Sequence, residues 1–453
     1  MRRLALVVVT AVAAILACHG LAAEPRISVY ADVDRPVVMA GCDETIVIKV
    51  GLSALPDACR SRRAPLNVAL VIDKSGSMGS ETKMANAKRG AIEVVERLSS
   101  DDVLALVVYD TGPRVVIPAQ PVRDKDHLVD LISSITPGGR TALYGGVALG
   151  ADEVRRHISW EYENRIILLS DGLANVGPSS AWDLARLGSA LDEEGLTVTT
   201  IGVGTDYNED LMTALADRSG GNSYFAARSS DLPEIFAEEI GDAMNVAARS
   251  VRIRVYCRDG ARPIAIPGRG GQIKGQVMTV DLGKVYGKND KYALFEVQVP
   301  REAAGKLRDI AEVSVEYADP TTNQSLVENR QVSVAYAEDR QVVDQRLNKQ
   351  VMKEVALTRT SDLKRQAVAL ADRGDAAGAA ALVQKGAFEL EKAAQQCDKD
   401  EEMLGEAAKC SAISNDITAN DGLTKYQRKR VVNQAYTQTT QQSYAPDRGQ
   451  PEN

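Results

Sequence analysis

Two kinds of apolar pattern alternate along this chain. Val68-Ala69-Leu70-Val71-Ile72, Val103–Tyr109, Arg165–Leu169 and Thr197–Val203 are short, nearly continuous and rich in Val, Ile and Leu. That is the pattern of strands buried on both faces of a parallel sheet. Between them, Lys83–Leu98, His127–Ile135, Thr141–His157, Trp182–Glu194 and Asp231–Ala247 repeat their apolar residues at helical spacing. Asn208 predicts the N-cap of a further helix to Ser219, with Glu209 and Asp210 in its first turn. Residues 65–247 therefore predict an α/β unit, a doubly wound, mostly parallel Rossmann-like sheet with helices on both faces.

On either side the period falls to two. Ile27–Tyr30 and Thr45–Val50 come before; Val251–Cys257, Val277–Leu282, Ala293–Val299, Ala311–Tyr317 and Val332–Val334 come after. The later set predicts a β-sandwich over 248–340 with one buried face per strand. The strands of 24–64 are too few to bury a core alone. They are expected to complete the sandwich, so that the α/β unit is inserted in it rather than simply followed by it. Residues 341–410 turn to Ala, Leu, Glu, Lys and Gln, with Leu363, Ala367, Leu370 and Ala371 on one helical face. With Ala377–Leu390, across Arg373-Gly374-Asp375, they predict a helical hairpin. Residues 411–453 read as a polar Gln/Thr/Asn-rich tail, partly disordered and mobile past Gln442.

The first residues change the picture of where the chain works. Arg2-Arg3 precede an apolar run, Leu4–Ala17, too short to span a bilayer comfortably, and small residues follow. Residues 1–23 thus predict a secretory signal cleaved after Ala23, giving a periplasmic or extracellular protein. The alternative is a lipoprotein box at Ile15-Leu16-Ala17-Cys18, which would leave a lipid anchor on Cys18 and associate the protein with the outer membrane. No later segment reads as a transmembrane helix. Export permits disulfides. Beyond Cys18 the chain has Cys42, Cys59, Cys257, Cys397 and Cys410. Cys397 with Cys410 is the favoured pair, Cys42 with Cys59 the next, and Cys257 with Cys42 or Cys59 the rival. A net charge of -8 argues against a nucleic-acid partner.

The chemistry gathers at the end of the first apolar run of the α/β unit. Leu66–Ile72 stops at Asp73-Lys74-Ser75-Gly76-Ser77. Alternate residues of an extended backbone point the same way, so the Asp73 carboxylate and the Ser75 and Ser77 hydroxyls can converge at the strand's C-terminal end. Hard oxygens converging on a point suit a hard divalent cation. Capping of the next helix is the plainer use of the same residues. Two further residues belong to the pattern: Thr141 after Gly138-Gly139-Arg140, and Asp171 at the end of the strand Arg165–Leu169. An N-cap and a turn are their plainer uses.

From Leu66 to Ala247 the chain resembles the von Willebrand factor A-type domain family. The resemblance lies in Asp73-x-Ser75-x-Ser77, in Thr141 within its Gly-rich loop, in Asp171 before Gly172, and in Ile201-Gly202-Val203-Gly204. It implies a metal-ion-dependent adhesion site. Ser75, Ser77 and Thr141 would supply hydroxyls, and Asp73 and Asp171 would bind directly or through water. The ion would be Mg²⁺, or Mn²⁺ or Ca²⁺. A Glu or Asp of a protein partner would complete the shell. Met78-Gly79-Ser80-Glu81 stands where some family members carry an acidic pair, so no second calcium site is expected. The order of modules more loosely resembles proteins related to inter-α-trypsin-inhibitor heavy chains and chloride-channel regulators.

Catalysis is not expected. His19 lies in the signal, and His127 and His157 fall on predicted helices. Gly138-Gly139-Arg140-Thr141 lacks the ending of a phosphate loop. Asp110 reads as a turn residue and Tyr144 as packing. The expectation is a metal-dependent adhesion or assembly module. Its rivals are a structural envelope component whose metal only stabilises the fold, and a metal-dependent hydrolase.

Overall fold

A computed structural model describes residues 26–55, 63–80, 82–258, 260–287 and 290–442. The expected signal with His19 and Cys18, and also Cys59, Glu81 and the residues past Gln442, lie outside the described residues.

Three strands open the described chain, β1 (Ile27–Val33), β2 (Val37–Met39) and β3 (Glu44–Ala54). The α/β unit follows. Its strands are β4 (Leu66–Asp73), β5 (Val103–Tyr109), β6 (Pro113–Pro121), β7 (Glu163–Ser170), β8 (Thr197–Val203) and β9 (Ser223–Ala226). Its helices are α1 (Lys83–Arg97), α2 (Lys125–Ser133), α3 (Leu143–Arg155), α4 (Ala181–Glu193), α5 (Glu209–Arg218) and α6 (Leu232–Met244). Asn208 caps α5, its side chain accepting from the N–H groups of Asp210 and Leu211.

The sheet runs β6-β5-β4-β7-β8-β9, parallel except for the edge strand β6. Alternation divides β4 between two cores. Leu66, Val68, Leu70 and Ile72 pack with α1, α2 and α6, whereas Ala69 and Val71 pack with α3, α4 and α5. Small residues let α3 lie close on that second face. A Cβ on Gly150 would stand 2.5 Å from Val71 Cγ2, and one on Gly146 2.7 Å from the Tyr109 ring.

Beyond α6 come β10 (Val246–Cys257), β11 (Arg262–Ala265), β12 (Gln272–Lys274), β13 (Val277–Tyr286), β14 (Lys291–Val299), β15 (Leu307–Ala318) and β16 (Ser325–Ala337). The strands from the two sides of the α/β unit share sheets. One is β1-β3-β14-β11; the other is β12-β13-β10-β15-β16-β2. β3 pairs antiparallel with β14 from Glu44 opposite Val299 to Leu52 opposite Lys291, and β2 adds in parallel to β16. One core fills the space between, with Ile27, Ile48, Ile253, Phe295 and Val315. The α/β unit is thus an insertion in the sandwich. The expected strands are longer than their apolar runs, and the short β11 and β12 carried too little apolar alternation to be read.

The helical module is larger than a hairpin. α7 (Arg340–Gln345), α8 (Lys349–Ala371), α9 (Ala376–Gln396), α10 (Glu401–Asn420) and α11 (Lys425–Thr440) follow in order. α8 and α9 form the expected hairpin, and α10 packs on α9. The stretch from Ser411 is not a tail as far as Gln442, because it completes α10 and forms α11. The favoured disulfide is also overturned. Cys397 caps the end of α9 and Cys410 lies within α10; both are free thiols buried in the Ala-rich helical core. They act as small apolar fillers. Cys42, exposed in the turn after β2, and Cys257, buried in the sandwich, are also free. Among the described residues no helix is long and apolar enough to cross a membrane.

Candidate metal centre

β4 lies between β5 on one side and β7 on the other, so the sheet's order reverses beside it. A crevice opens at such a point, outside the carboxyl ends of the strands. Asp73 is the last residue of β4, and Asp171 follows the last residue of β7. Both are fully buried, with Ser75 2% and Thr141 4% exposed.

The local chain is bound tightly. The Ser75 N–H donates to Asp73 Oδ1 at 2.8 Å, and Ser170 Oγ donates to Asp73 Oδ2 at 2.9 Å. A one-turn 3-10 helix, Gly76–Gly79, then turns Ser77 back. Ser77 Oγ lies 3.0 Å from Ser75 Oγ and donates to Asp171 Oδ1 at 2.6 Å. The Lys83 ammonium, at the first residue of α1, donates to Asp171 Oδ2 at 2.7 Å. Burial pushes the Asp73 carboxyl up to about 6, against hydrogen bonds from Ser75 that draw it down.

Thr141 arrives on the loop between α2 and α3. The Gly76 N–H donates to Gly139 O at 3.1 Å and the Gly138 N–H to Lys74 O, which ties this loop to the motif. Gly139 holds φ +86°, and a Cβ there would stand 2.8 Å from Asp110 Cβ, so the turn needs glycine twice over. The Thr141 N–H donates to Asn175 Oδ1 at 3.0 Å, and the Asn175 N–H returns a bond to Thr141 O at 3.1 Å. A Cβ on Gly172 would meet Ser77 Oγ at 3.3 Å and Thr141 Oγ1 at 3.4 Å, so both hydroxyls face the same small space beside Asp171. The five expected residues therefore stand around one point. Ser170, Asn175 and Lys83 join them without having been singled out in the sequence. Ser170 was legible as a polar residue at a buried strand's end; the other two carried no signal.

This donor set is made of carboxylate and hydroxyl oxygens, with two carboxylates buried away from water. It fits a hard divalent cation. A groove of about 670 Å³ opens above it. Its walls include Arg140, the 59% exposed Leu173, the loop Tyr207–Asp210, and Lys425 and Arg428 of α11. Asp110 pairs with Lys74, which holds its carboxyl below the usual range, and Tyr144 packs against the α3 side of the sheet. His127 is exposed on α2 and His157 follows the far end of α3.

Residues 67–238 match the model of the family described as von Willebrand factor type A domain. An uncharacterized protein of Synechocystis, sll0103, is 26% identical over 289 residues, 61% of this chain and 67% of that protein. The YfbK protein of Escherichia coli is 27% identical over 190 residues, which are 42% of this chain and only 33% of that relative. The bovine calcium-activated chloride channel regulator 1 is 24% identical over 163 residues, 35% of this chain and 17% of that protein. Two solved structures share the fold across nearly the whole chain. A von Willebrand factor type A protein from Catenulispora acidiphila has TM-score 0.65 at 17% identity, covering 86% of this chain and 96% of its own. The ArnB paralog VWA2 from Sulfolobus acidocaldarius has TM-score 0.59 at 20% identity, covering 91% and 99%. Sheet order, crevice and sequence match agree: residues 67–238 of this chain are a von Willebrand factor type A domain.

Proposed function

We propose that this protein is a divalent-metal-dependent binding module, which holds an acidic residue of a partner protein at the Asp73–Asp171 crevice. VWA domains commonly mediate protein–protein contact and are typically not enzymes. The observation that carries the reading is the convergence of two fully buried carboxylates with the Ser75, Ser77 and Thr141 hydroxyls beneath an open groove. A bound Mg²⁺, Mn²⁺ or Ca²⁺ would supply an electrophilic position open to a Glu or Asp carboxylate. Ser75, Ser77 and Thr141 keep the donor set largely neutral. Asp73, locked by Ser75 N–H and Ser170 Oγ, orients the motif. Asp171, shared between Ser77 and Lys83, closes the far side. Leu173 offers an apolar contact beside the acidic residue. Arg2-Arg3, the run Leu4–Ala17 and Ala22-Ala23 support export to the periplasm or beyond.

A structural role for the metal is the second reading. It is favoured by the burial of Asp73 and Asp171, two carboxylates that a cation between them would neutralise. Thermal unfolding and a pull-down from envelope extract decide between them. Mg²⁺ or Mn²⁺ at a hundredfold excess over Kd stabilises the wild type by about 2.7 kcal/mol and Asp73→Ala not at all. Partner capture is lost in chelator and in Asp73→Ala. Capture that ignores both would leave the metal a structural role or none. Asp73-dependent cleavage of peptides or phosphoesters would make the protein a hydrolase.

A further inference from the structure

A second cavity, of about 1260 Å³, lies where the α/β unit, the sandwich and the helices meet. Asp217 of α5, Arg269 of the loop between β11 and β12, Lys291 of β14, Arg365 of α8 and Tyr436 of α11 are among its walls. Two cations in it lack the partner that burial demands. Lys291 is 6% exposed; its Nζ stands 5.2 Å from the centre of the Tyr286 ring and has neither a hydrogen-bond acceptor nor an ion-pair carboxylate among the described residues. Arg269 spends Nη2 on Gln441 Oε1 at 2.8 Å, but its Nε is buried with no acceptor among the described residues.

The two charges are close enough to oppose each other. Burial, and then the Arg269 charge, hold the Lys291 ammonium down to about 7, against the attraction of the buried Asp242 carboxylate, which makes no ion-pair contact with it. Six carboxylates are present in the cavity wall, and three of them, Asp210, Asp281 and Asp362, are committed to other cations, Asp210 to Arg428. Asp281 accepts from Arg252 at 2.6 Å, and Asp362 takes the Arg365 guanidinium and the Gly268 N–H. Asp217 alone among the wall carboxylates draws on Arg269, and it does so without an ion-pair contact. A buried ammonium without an ion-pair contact is costly to keep, and a second cation beside it adds to the cost, so the pair of donors has a use in an anion bound between them. Paired Lys and Arg donors on a roomy polar cavity are the chemistry that binds oxyanions.

We propose that the three-module junction binds a dianionic oxyanion, a phosphate either free or carried on a small molecule, held by Lys291 Nζ and the Arg269 guanidinium. The occupant touches sandwich residues while α5, α8 and α11 form the other walls, so binding ties the three modules together. The site stands apart from the Asp73–Asp171 crevice and does not depend on the reading of it.

The test is thermal unfolding of the full chain in chelator, with inorganic phosphate titrated against chloride at matched ionic strength. The wild type gains a saturating rise in Tm with phosphate and none with chloride. Arg269→Gln and Lys291→Met both lose that rise. Lys291→Met, relieved of an unpaired buried charge, holds or raises its Tm in phosphate-free buffer, which separates loss of the site from loss of the fold. Lys291→Arg retains the response. A rise at lower concentration with glycerol phosphate than with phosphate identifies a carried phosphoryl group; the reverse order identifies the free anion. A phosphate response equal in wild type and both charge-removing variants, or a wild type that responds to phosphate no more than to chloride, overturns the proposal.

Discussion

Lys83 puts a fixed positive charge against the carboxylate that closes the proposed metal centre. Its Nζ is 2.7 Å from Asp171 Oδ2 and its side chain is 23% exposed. An ammonium and a divalent cation sharing one carboxylate repel each other. At such separations, in the high effective dielectric of a half-open site, the repulsion is worth on the order of 1 kcal/mol. Lys83→Met is therefore expected to tighten Mg²⁺ or Mn²⁺ binding by several-fold, read by calorimetric titration, while Asp171→Asn abolishes it. Unchanged affinity in Lys83→Met would show that the ammonium swings clear when the site is loaded. The site itself was legible at this scale because strand geometry is simple. Residues two apart in extended chain share a direction, so Asp73, Ser75 and Ser77 announced a common target, which Ser77 reaches through the 3-10 turn rather than along the strand, and Asp171 announced its strand's end. Lys83 was not legible, because nothing in a lone lysine at a helix start says which carboxylate it will reach.

Helix α11 shows what an element hides when its buried face is polar. Lys429, Asn433, Tyr436 and Thr439 are inward residues beside only two small apolar ones, Val431 and Ala435. Lys429 Nζ donates to Tyr207 O at 2.7 Å, Asn433 Nδ2 to Ser223 O at 3.0 Å, and Tyr436 OH to Gly221 O at 2.8 Å. Such a helix docks through hydrogen bonds to exposed backbone and leaves little apolar period to read, which is why 425–440 looked like tail. Cys397 and Cys410 misled for a related reason: a short spacing in a chain expected to be exported suggests a bond, whereas each thiol fills a gap between Ala-rich helices. At the centre of the α11 contact is Glu209, 6% exposed, which accepts from both Lys429 and Arg428. Burial raises its carboxyl, and those two cations together draw it below the usual range. A carboxyl with a lowered folded pKa stabilises the fold above its unfolded value of about 4.3 and loses that contribution as pH falls through the lower folded value. Glu209→Gln leaves Lys429 buried without its counter-charge and is expected to cost about 3 kcal/mol at pH 7. The gap between variant and wild type, measured by urea unfolding, should close as pH falls below about 4. A gap that does not narrow at all as pH falls below the unfolded value would assign the loss to packing.

At the scale of the molecule, the groove of the proposed metal centre and the sandwich sit at opposite ends of the parallel sheet. The groove is at the carboxyl ends of β4 and β7; the sandwich meets their amino ends. That second contact is ionic and dry. Arg165 of β7 is fully buried; its guanidinium reaches Glu239 of α6 and donates to Tyr286 OH of β13 at 2.7 Å. Glu163, 1% exposed, faces Arg165, Arg249 of β10 and Lys284 of β13. Glu239 also accepts from Thr199 Oγ1 and from Asn222 Nδ2 at 3.0 Å. Period and composition placed an apolar strand at 165–169 and an inserted unit around it. They could not show that its first side chain points away from the apolar layers into the neighbouring module. Removing one member of such a network strands the others. Arg165→Met should cost about 3–5 kcal/mol, because Glu239 and Glu163 lose a partner away from water. Pairing it with Glu239→Leu should recover much of that loss, since no charge is then left stranded at that position. Chemical unfolding of the two single variants and the double variant gives the coupling directly. Additive losses would mean that the Arg165–Glu239 pair is not coupled, leaving Glu163 with Lys284 and Arg249 as the ionic contact between the modules. A strong coupling with metal affinity unchanged would show that the ionic hinge carries the domain without tuning its site, as the length of the sheet between them requires.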